Sequence, residues 1–261
     1  MKIRMFQIDA FTDRLFHGNP AAVCPLDQWL PDEQMQQIAM ENNLAETAFF
    51  VKEGERFRIR WFTPEVEVDL CGHATLAAAF VLFYFEMYPG EVIEFHSRSG
   101  LLTVRKDGDL LTLNFPADAL QKANLPEAWI AAIGLTPVES YLGKSDYMLV
   151  YAAQEDIERI QPDMARIALI PARGIIVTAP GRDVDFVSRF FAPQSGVPED
   201  PVTGSAHTTL MPYWAARLGK SELTAMQLSK RRGWLKCRLA GDRVEISGNA
   251  RAYLAGQIDI P

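Results

Sequence analysis

Runs of apolar residues divide this chain into a series of short strands, interrupted twice by a stretch too apolar to lie on a surface. Residues 1–11, 48–51 and 57–62 read as strands, the last alternating through Phe57, Ile59 and Trp61. Residues 31–42 open with Pro31 and place Met35, Ile38 and Ala39 at helical spacing, which predicts a helix. From about Gly72 to Met87 the chain is apolar on every side. That predicts a helix which the rest of the fold must wrap. Strands at 92–95, 101–106 and 110–115 follow, with Lys106-Asp107-Gly108-Asp109 as a hairpin turn.

The second half of the chain repeats this plan. Strands are expected at 147–151, 174–178 and 184–191, a short helix at 164–168, and a second apolar helix at 204–218. Strands at 226–228, 234–239 and 243–246 close it, with Ala240-Gly241-Asp242 as a turn. Three strings support a true duplication. Arg60-Trp61-Phe62-Thr63-Pro64 resembles Arg189-Phe190-Phe191-Ala192-Pro193, Gly72-His73-Ala74-Thr75-Leu76 resembles Gly204-Ser205-Ala206-His207-Thr208, and Leu30-Pro31-Asp32 resembles Gln161-Pro162-Asp163. Their offsets are 129, 132 and 131 residues in a chain of 261, and they occur in the same order. The expected domains are residues 1–118 and 119–261, joined through the polar, proline-bounded stretch 116–126. Each half is then a curved sheet around one apolar helix, an α+β fold.

Charge and cysteine content narrow the function. The formal net charge is −7, with a lone basic run at Lys230, Arg231 and Arg232, so nucleic acid is not an expected partner. The N-terminus carries no apolar core of signal-peptide length, and Asp9 interrupts it. The most apolar stretch, 74–85, is too short for the ~20 residues of a membrane span, so no membrane partner is expected. Three scattered cysteines, Cys24, Cys71 and Cys237, offer neither a disulfide framework nor paired metal-ligand spacing, which fits a cytoplasmic protein.

The chemistry gathers at the two helix starts, Asp69-Leu70-Cys71-Gly72-His73-Ala74-Thr75 and Glu199-Asp200-Pro201-Val202-Thr203-Gly204-Ser205-Ala206-His207. A helix N-terminus presents unpaired backbone N–H groups and partial positive charge, and glycine admits a ligand close to the backbone. Two such starts facing one cleft would cradle a carboxylate. Taken singly, each start is equally served by ordinary capping through Thr203 or Ser205. His73 at a helix start is held neutral, suited to hydrogen bonding or proton transfer, or else is simply structural. Asp200 is a charge partner of its helix start or an acid of the site. Cys71 is a thiolate base or a small buried residue. Glu46, just before an apolar strand, is a solvated strand-end carboxylate or a general base. Aligning Ala45-Glu46-Thr47 with Ala172-Arg173-Gly174 sets Arg173 opposite Glu46, so that only the first half would supply a base.

Four strings converge on one family: Phe16-His17-Gly18-Asn19-Pro20-Ala21-Ala22-Val23, Asn43-Leu44-Ala45-Glu46-Thr47-Ala48-Phe49, Cys71-Gly72-His73-Ala74-Thr75 and Glu199-Asp200-Pro201-Val202-Thr203-Gly204-Ser205-Ala206. Together they resemble the phenazine-biosynthesis (PhzF-type) proteins, relatives of diaminopimelate epimerase, over nearly the whole chain. The resemblance implies two pseudo-symmetric halves, each a barrel-like sheet wrapped around a central helix, with the active site in the cleft between them. It implies a homodimer that uses no metal or organic cofactor and isomerises a small anionic substrate by removing and returning a proton. Carried onto this sequence, the catalytic residues are Glu46, His73 and Asp200, and the substrate-binding positions are Ala45, Gly72, Gly204 and Ser205. The epimerase relatives use a cysteine at each helix start. Here the first holds Cys71 and the second Thr203, which favours one base, Glu46, over a pair of thiols. A racemase, epimerase or dehydratase built on Cys71, and a small-acid-binding or interaction protein without catalysis, remain the alternatives.

Overall fold

A computed structural model describes residues 1–260. The elements in chain order are β1 (Lys2–Ala10), β2 (Asn19–Leu26), α1 (Asp32–Asn42), β3 (Glu46–Glu53), β4 (Arg56–Phe62), β5 (Glu67–Val68), α2 (Gly72–Tyr84), β6 (Val92–Ser97), β7 (Gly100–Asp107) and β8 (Leu110–Pro116). There follow β9 (Gln121–Lys122), α3 (Glu127–Ile133), β10 (Glu139–Leu142), β11 (Asp146–Val150), α4 (Gln154–Arg159), α5 (Met164–Ile167), β12 (Gly174–Pro180), β13 (Phe186–Phe191) and α6 (Gly204–Leu218). The chain closes with β14 (Glu222–Gln227), β15 (Gly233–Ala240), β16 (Arg243–Gly248) and β17 (Ala250–Asp259). Among the described residues, no helix is long and apolar enough to cross a membrane.

The chain forms two compact units, Met1–Asn114 with the C-terminal segment from Ser247 onward, and Phe115–Ile246. The expected single cut between residues 118 and 119 is therefore corrected at both ends. Strand β17 runs antiparallel along the whole of β1, from Lys2 opposite Asp259 to Ala10 opposite Ala250, and its hydrogen bonds tie the C-terminus to the first unit.

In the first unit β2 pairs antiparallel with β1 and parallel with β3. Strand β3 is antiparallel to β4, β4 parallel to β6, and β6 antiparallel to β7. The second unit reproduces this sequence of pairings. Strand β10 is antiparallel to β11, β11 parallel to β12, β12 antiparallel to β13, β13 parallel to β14, and β14 antiparallel to β15. Helix α2 crosses from β4 to β6 and α6 from β13 to β14, the same place in each plan. Duplication is thus visible in the topology as well as in the strings.

Helix α2 is rich in alanine, the best helix former, and packs against β1, β2, β3, β7 and β17. Ten of its 13 residues are buried, including Leu76, Val81 and Phe83, so the apolar run is indeed a wrapped helix. It stops at Tyr84, short of the expected Met87, which adopts a left-handed φ of 52° that a helix cannot contain. Helix α6 runs from Gly204 to Leu218 as expected and ends in Gly219, left-handed at φ 67°. It packs against β11, β14 and β15, with Trp214 and Leu210 buried. The polar connection at 116–126 contains the short strand β9, which pairs with β10.

One device recurs in both units. Arg60 donates through Nε and Nη2 to Glu67 at 2.7 and 2.8 Å, and Arg189 does the same to Glu199 at 2.7 and 3.0 Å. Each guanidinium also lies over a phenylalanine two residues on, Phe62 at 5.2 Å and Phe191 at 4.9 Å. Such planar, two-pronged pairing is what fixes the segment leading into each apolar helix.

Candidate functional site

Three elements of the first unit deliver the titratable groups. Glu46 opens β3, Cys71 is the residue before α2, and His73 is in the first turn of α2. The Glu46 Oε2 atom lies 3.2 Å from His73 Nε2. On the other side of the ring, Cys71 Sγ is 3.5 Å from Nδ1, and the amide Nδ2 of Asn19 is 3.2 Å from the same nitrogen. Asn19 is the first residue of β2 and is wholly buried. Glu46 keeps about a sixth of its side chain exposed, at 16%, while that of His73 is 5% exposed. Part of the Glu46 side chain therefore reaches solvent, while its Oε2, which faces the ring, is buried.

Burial sets the state of the ring. Desolvation pulls the His73 pKa down to about 3, so it is neutral at physiological pH. A neutral imidazole carries one proton. Two lone pairs held 3.2 Å apart would repel, so the proton belongs on Nε2, facing the Glu46 carboxylate. Nδ1 then accepts from Asn19. Nε2 and Oε2 lie near one another without the alignment of a hydrogen bond. The backbone N–H groups of Gly72, His73 and Ala74 complete the arrangement, since no helical carbonyl precedes them.

The carboxylate, the thiol and a ring nitrogen lie within 4.8 Å of one another, close enough to raise the question of a metal ion. Glu46 and Cys71, however, approach opposite ring nitrogens. The carboxylate and the thiol thus meet the ring from opposite sides, each next to its own nitrogen.

In the second unit, the start of α6 is latched by side chains. Thr203 precedes the helix with extended backbone, but its hydroxyl does not cap it. The hydroxyl donates instead to Asp200 Oδ2 at 2.6 Å. Buried Gln227 of β14 accepts from the Thr203 N–H at 2.8 Å and donates to the Asp200 carbonyl at 2.7 Å. Ser205 lies inside the helix and accepts from Arg173 Nη1 at 3.0 Å, so it is not a cap either. Ordinary capping by Thr203 or Ser205 is thereby ruled out.

The expected equivalence of Arg173 and Glu46 is off by one residue. Arg60 pairs across the sheet with Phe49, and its repeat mate Arg189 pairs with Val177. Counting back three residues along each strand, Glu46 corresponds to Gly174. Arg173 stands one place earlier, bonded through Nε to buried Asp146 at 2.9 Å. The second unit still lacks a carboxylate at this place, but the residue standing there is glycine.

The expected residues thus assemble in two groups. Glu46, Cys71, Gly72 and His73, with half-buried Ala45 just before β3, belong to the first unit, and Asp200, Gly204 and Ser205 to the second. Set beside known proteins, residues 8–256 match the family model described as phenazine biosynthesis-like protein. The chain belongs to that family. A relative from Pseudomonas aeruginosa named an uncharacterized isomerase is 55% identical over 99% of both chains. A crystal structure of a PhzF-family phenazine biosynthesis protein from Enterococcus faecalis superposes with a TM-score of 0.97, at 45% identity and full coverage of both chains. A hydroxyproline epimerase from Agrobacterium vitis shares the fold alone, with a TM-score of 0.60 at 11% identity, covering 98% of this chain and 92% of that one. Membership in this α+β family, with its epimerase-like fold, and the name of the close relative support an isomerase-type enzyme.

Three residues escape the reading of the sequence: Asn19 beside His73 in the first unit, and Gln227 beside Asp200 and Asp146 beside Arg173 in the second. Asn19 lay inside a string that carried the resemblance. Its bond to His73 spans 54 positions, and no local pattern announces it. Gln227 and Asp146 are polar residues in apolar strands, the signal of a buried polar group that must have partners.

Proposed function

We propose that this protein is an isomerase that moves a proton on a small carboxylic acid, with Glu46 as general acid and base and no bound cofactor in the step. The observation that carries this reading is the partly exposed Glu46 side chain, whose Oε2 lies 3.2 Å from a buried, neutral His73 at the start of α2. In the proposed step the carboxylate takes a proton from carbon and becomes the neutral acid. The electron pair is delocalised over the substrate anion. Glu46 then returns the proton to a different carbon, so no electrons are gained or lost overall. His73 donates its Nε2–H toward Glu46, orients it and supports its charged form. First-turn amides at Gly72 hold negative charge on the substrate. Asp200 is proposed as a second acid, and Gly204 and Ser205 as anion-binding positions, at the start of α6. The Cys71 alternative is weaker, because the matching position holds Thr203, whose hydroxyl is committed to Asp200.

The test is hydrogen–deuterium exchange on carbon in heavy water, followed by NMR against a panel of small unsaturated and cyclic carboxylic acids. Wild type exchanges or isomerises a member of the panel. Glu46→Gln, with unchanged circular dichroism, loses at least about 100-fold of the rate, the lower end of what a general base contributes. Full exchange in that variant, together with inactivation by alkylation of Cys71, would transfer the role to the thiol.

A further inference from the structure

We infer that Asn19 is the positioning residue that decides which ring nitrogen of His73 carries the proton. The inference rests on the proposed role of Glu46 for its functional meaning, but the geometry that carries it does not. His73 Nδ1 receives the Asn19 Nδ2 at 3.2 Å, and Nε2 faces Glu46 Oε2 at 3.2 Å. An amide nitrogen can only donate and a carboxylate can only accept. The two neighbours therefore demand the same tautomer from opposite sides, Nδ1 bare and Nε2 protonated. Cys71 cannot settle the matter, since a thiol both donates and accepts weakly.

The fold holds Asn19 in place. It is the first residue of β2, paired in register with Ala10 at the end of β1. The preceding Gly18 takes φ 65°, and a Cβ there would lie 2.1 Å from the Ala10 carbonyl oxygen, so no other residue makes this approach. The Phe16 N–H is tied to Asp9 Oδ2 at 2.9 Å, which closes the loop leading into the strand. The amide is buried, and its nitrogen is the atom that meets the ring. Metal-binding and catalytic histidines are tuned in the same way by whatever group meets their second nitrogen.

The functional consequence is specific. With Nε2 protonated, the ring donates toward Glu46 and favours its ionised, proton-accepting form. With the opposite tautomer, a bare Nε2 would face the carboxylate, and the two could approach only if Glu46 kept its proton. Asn19 therefore sets the resting state of the proposed base without touching substrate.

The experiment reads the tautomer directly. Long-range proton–nitrogen correlation spectra of histidine-labelled protein distinguish Nδ1–H from Nε2–H rings, and His73 is assigned by the signals lost in His73→Asn. No substrate is needed, so failure of this inference is separable from failure of the isomerase reading. Wild type is expected to show the Nε2–H tautomer at neutral pH. Asn19→Asp replaces the donor with an acceptor, and His73 then takes up a proton at Nδ1. Cys71→Ala leaves the wild-type tautomer unchanged. An Nδ1–H ring in wild type overturns the inference, as does an unchanged tautomer in folded Asn19→Asp or a switch in Cys71→Ala. Should Asn19→Asp not fold, the wild-type and Cys71→Ala spectra still decide it.

Discussion

Gly174 is where the two halves of this protein part company, and substituting it tests the register that sets it opposite Glu46. An ideal Cβ on Gly174 falls 2.2 Å from Phe190 Cζ, 2.6 Å from Cε2 and 3.1 Å from Cε1. Carbon atoms in contact stay about 3.5–4.0 Å apart, so the ring must retreat by more than an ångström. Phe190 is only 5% exposed, and Arg173 covers its ring at 5.4 Å, so its retreat disturbs packed neighbours. Overpacking of this kind costs about 1–3 kcal/mol, against which the loss of glycine's unfolded-state freedom returns about 0.4–1 kcal/mol. Taken at the middle of each range, the net expectation for Gly174→Ala is a destabilisation of about 1.3 kcal/mol. Urea unfolding, followed through tryptophan fluorescence, to which the second unit contributes Trp129, Trp214 and Trp234, measures it as a drop in midpoint at constant slope. In a Phe190→Leu background the ring is gone, and adding Gly174→Ala should cost less than about 0.5 kcal/mol beyond the first substitution. Equal costs in the two backgrounds, or a neutral Gly174→Ala in the natural one, would refute the close approach and the register with it.

Two further perturbations probe the buried polar groups of the second unit. Thr178 accepts from the Trp214 indole N–H at 3.0 Å and donates to the Val187 carbonyl at 2.7 Å, all of it buried. Thr178→Val keeps the shape but strands the indole and should lower stability by about 1–3 kcal/mol in the same urea assay, whereas Thr178→Ser should keep most of it. His207 donates its Nδ1–H to the Thr203 carbonyl at 2.8 Å, and burial pulls its pKa down to about 4 from an ordinary 6.5. The unfolded chain then binds a proton that the folded one refuses between those pH values. Stability is full above pH 6.5 and falls as pH drops toward 4, at up to about 1.4 kcal/mol per unit from this ring. His73 adds to the loss in the same direction, with its pKa pulled down to about 3. His207→Gln should remove about one proton from the pH dependence of the urea midpoint, and an unaltered slope would show that the ring titrates normally.

Much of this architecture could be read in advance, and the errors have physical causes. Helix α6 was legible to the residue because a glycine stands at each end, one starting the turn and one closing it left-handed. Helix α2 has no such stop, so its apolar run suggested three residues too many. Strand β2 escaped notice because Pro20 and Pro25 break its pattern, although both sit in it in register with neighbouring strands. Strand β17, largely exposed, shows little of the alternation that betrays a half-buried strand. Glu46, Cys71 and His73 could be named because each lies in a recognisable string. That Asn19 meets His73, or that Gly174 rather than Arg173 matches Glu46, is a matter of register through space. One residue of slip reverses every side chain on a strand, and side-chain type alone does not reveal it.

The pattern of divergence bears on mechanism. Both halves keep the scaffold leading into the helix, with Arg60–Glu67 matched by Arg189–Glu199 and each arginine over its phenylalanine. The titratable groups beside the helix start are kept in neither position nor kind. Glu46, Cys71 and His73 are matched in the second half by Gly174, Thr203 and Ser205, a space filled by the Phe190 ring, a hydroxyl held by Asp200 and a hydroxyl held by Arg173. The carboxylate the second half does offer, Asp200, stands where the first has Val68. Val68 pairs with Trp61, and the Asp200 N–H bonds the carbonyl of Phe190, the repeat mate of Trp61. The two carboxylates are therefore not symmetry mates. Racemisation by two equivalent bases requires matching residues in the two halves, and Gly174, Thr203 and Ser205 match none of Glu46, Cys71 and His73. A shuttle in which one base both takes and returns the proton has no such requirement, and the asymmetry that weakens the first mechanism leaves the second intact.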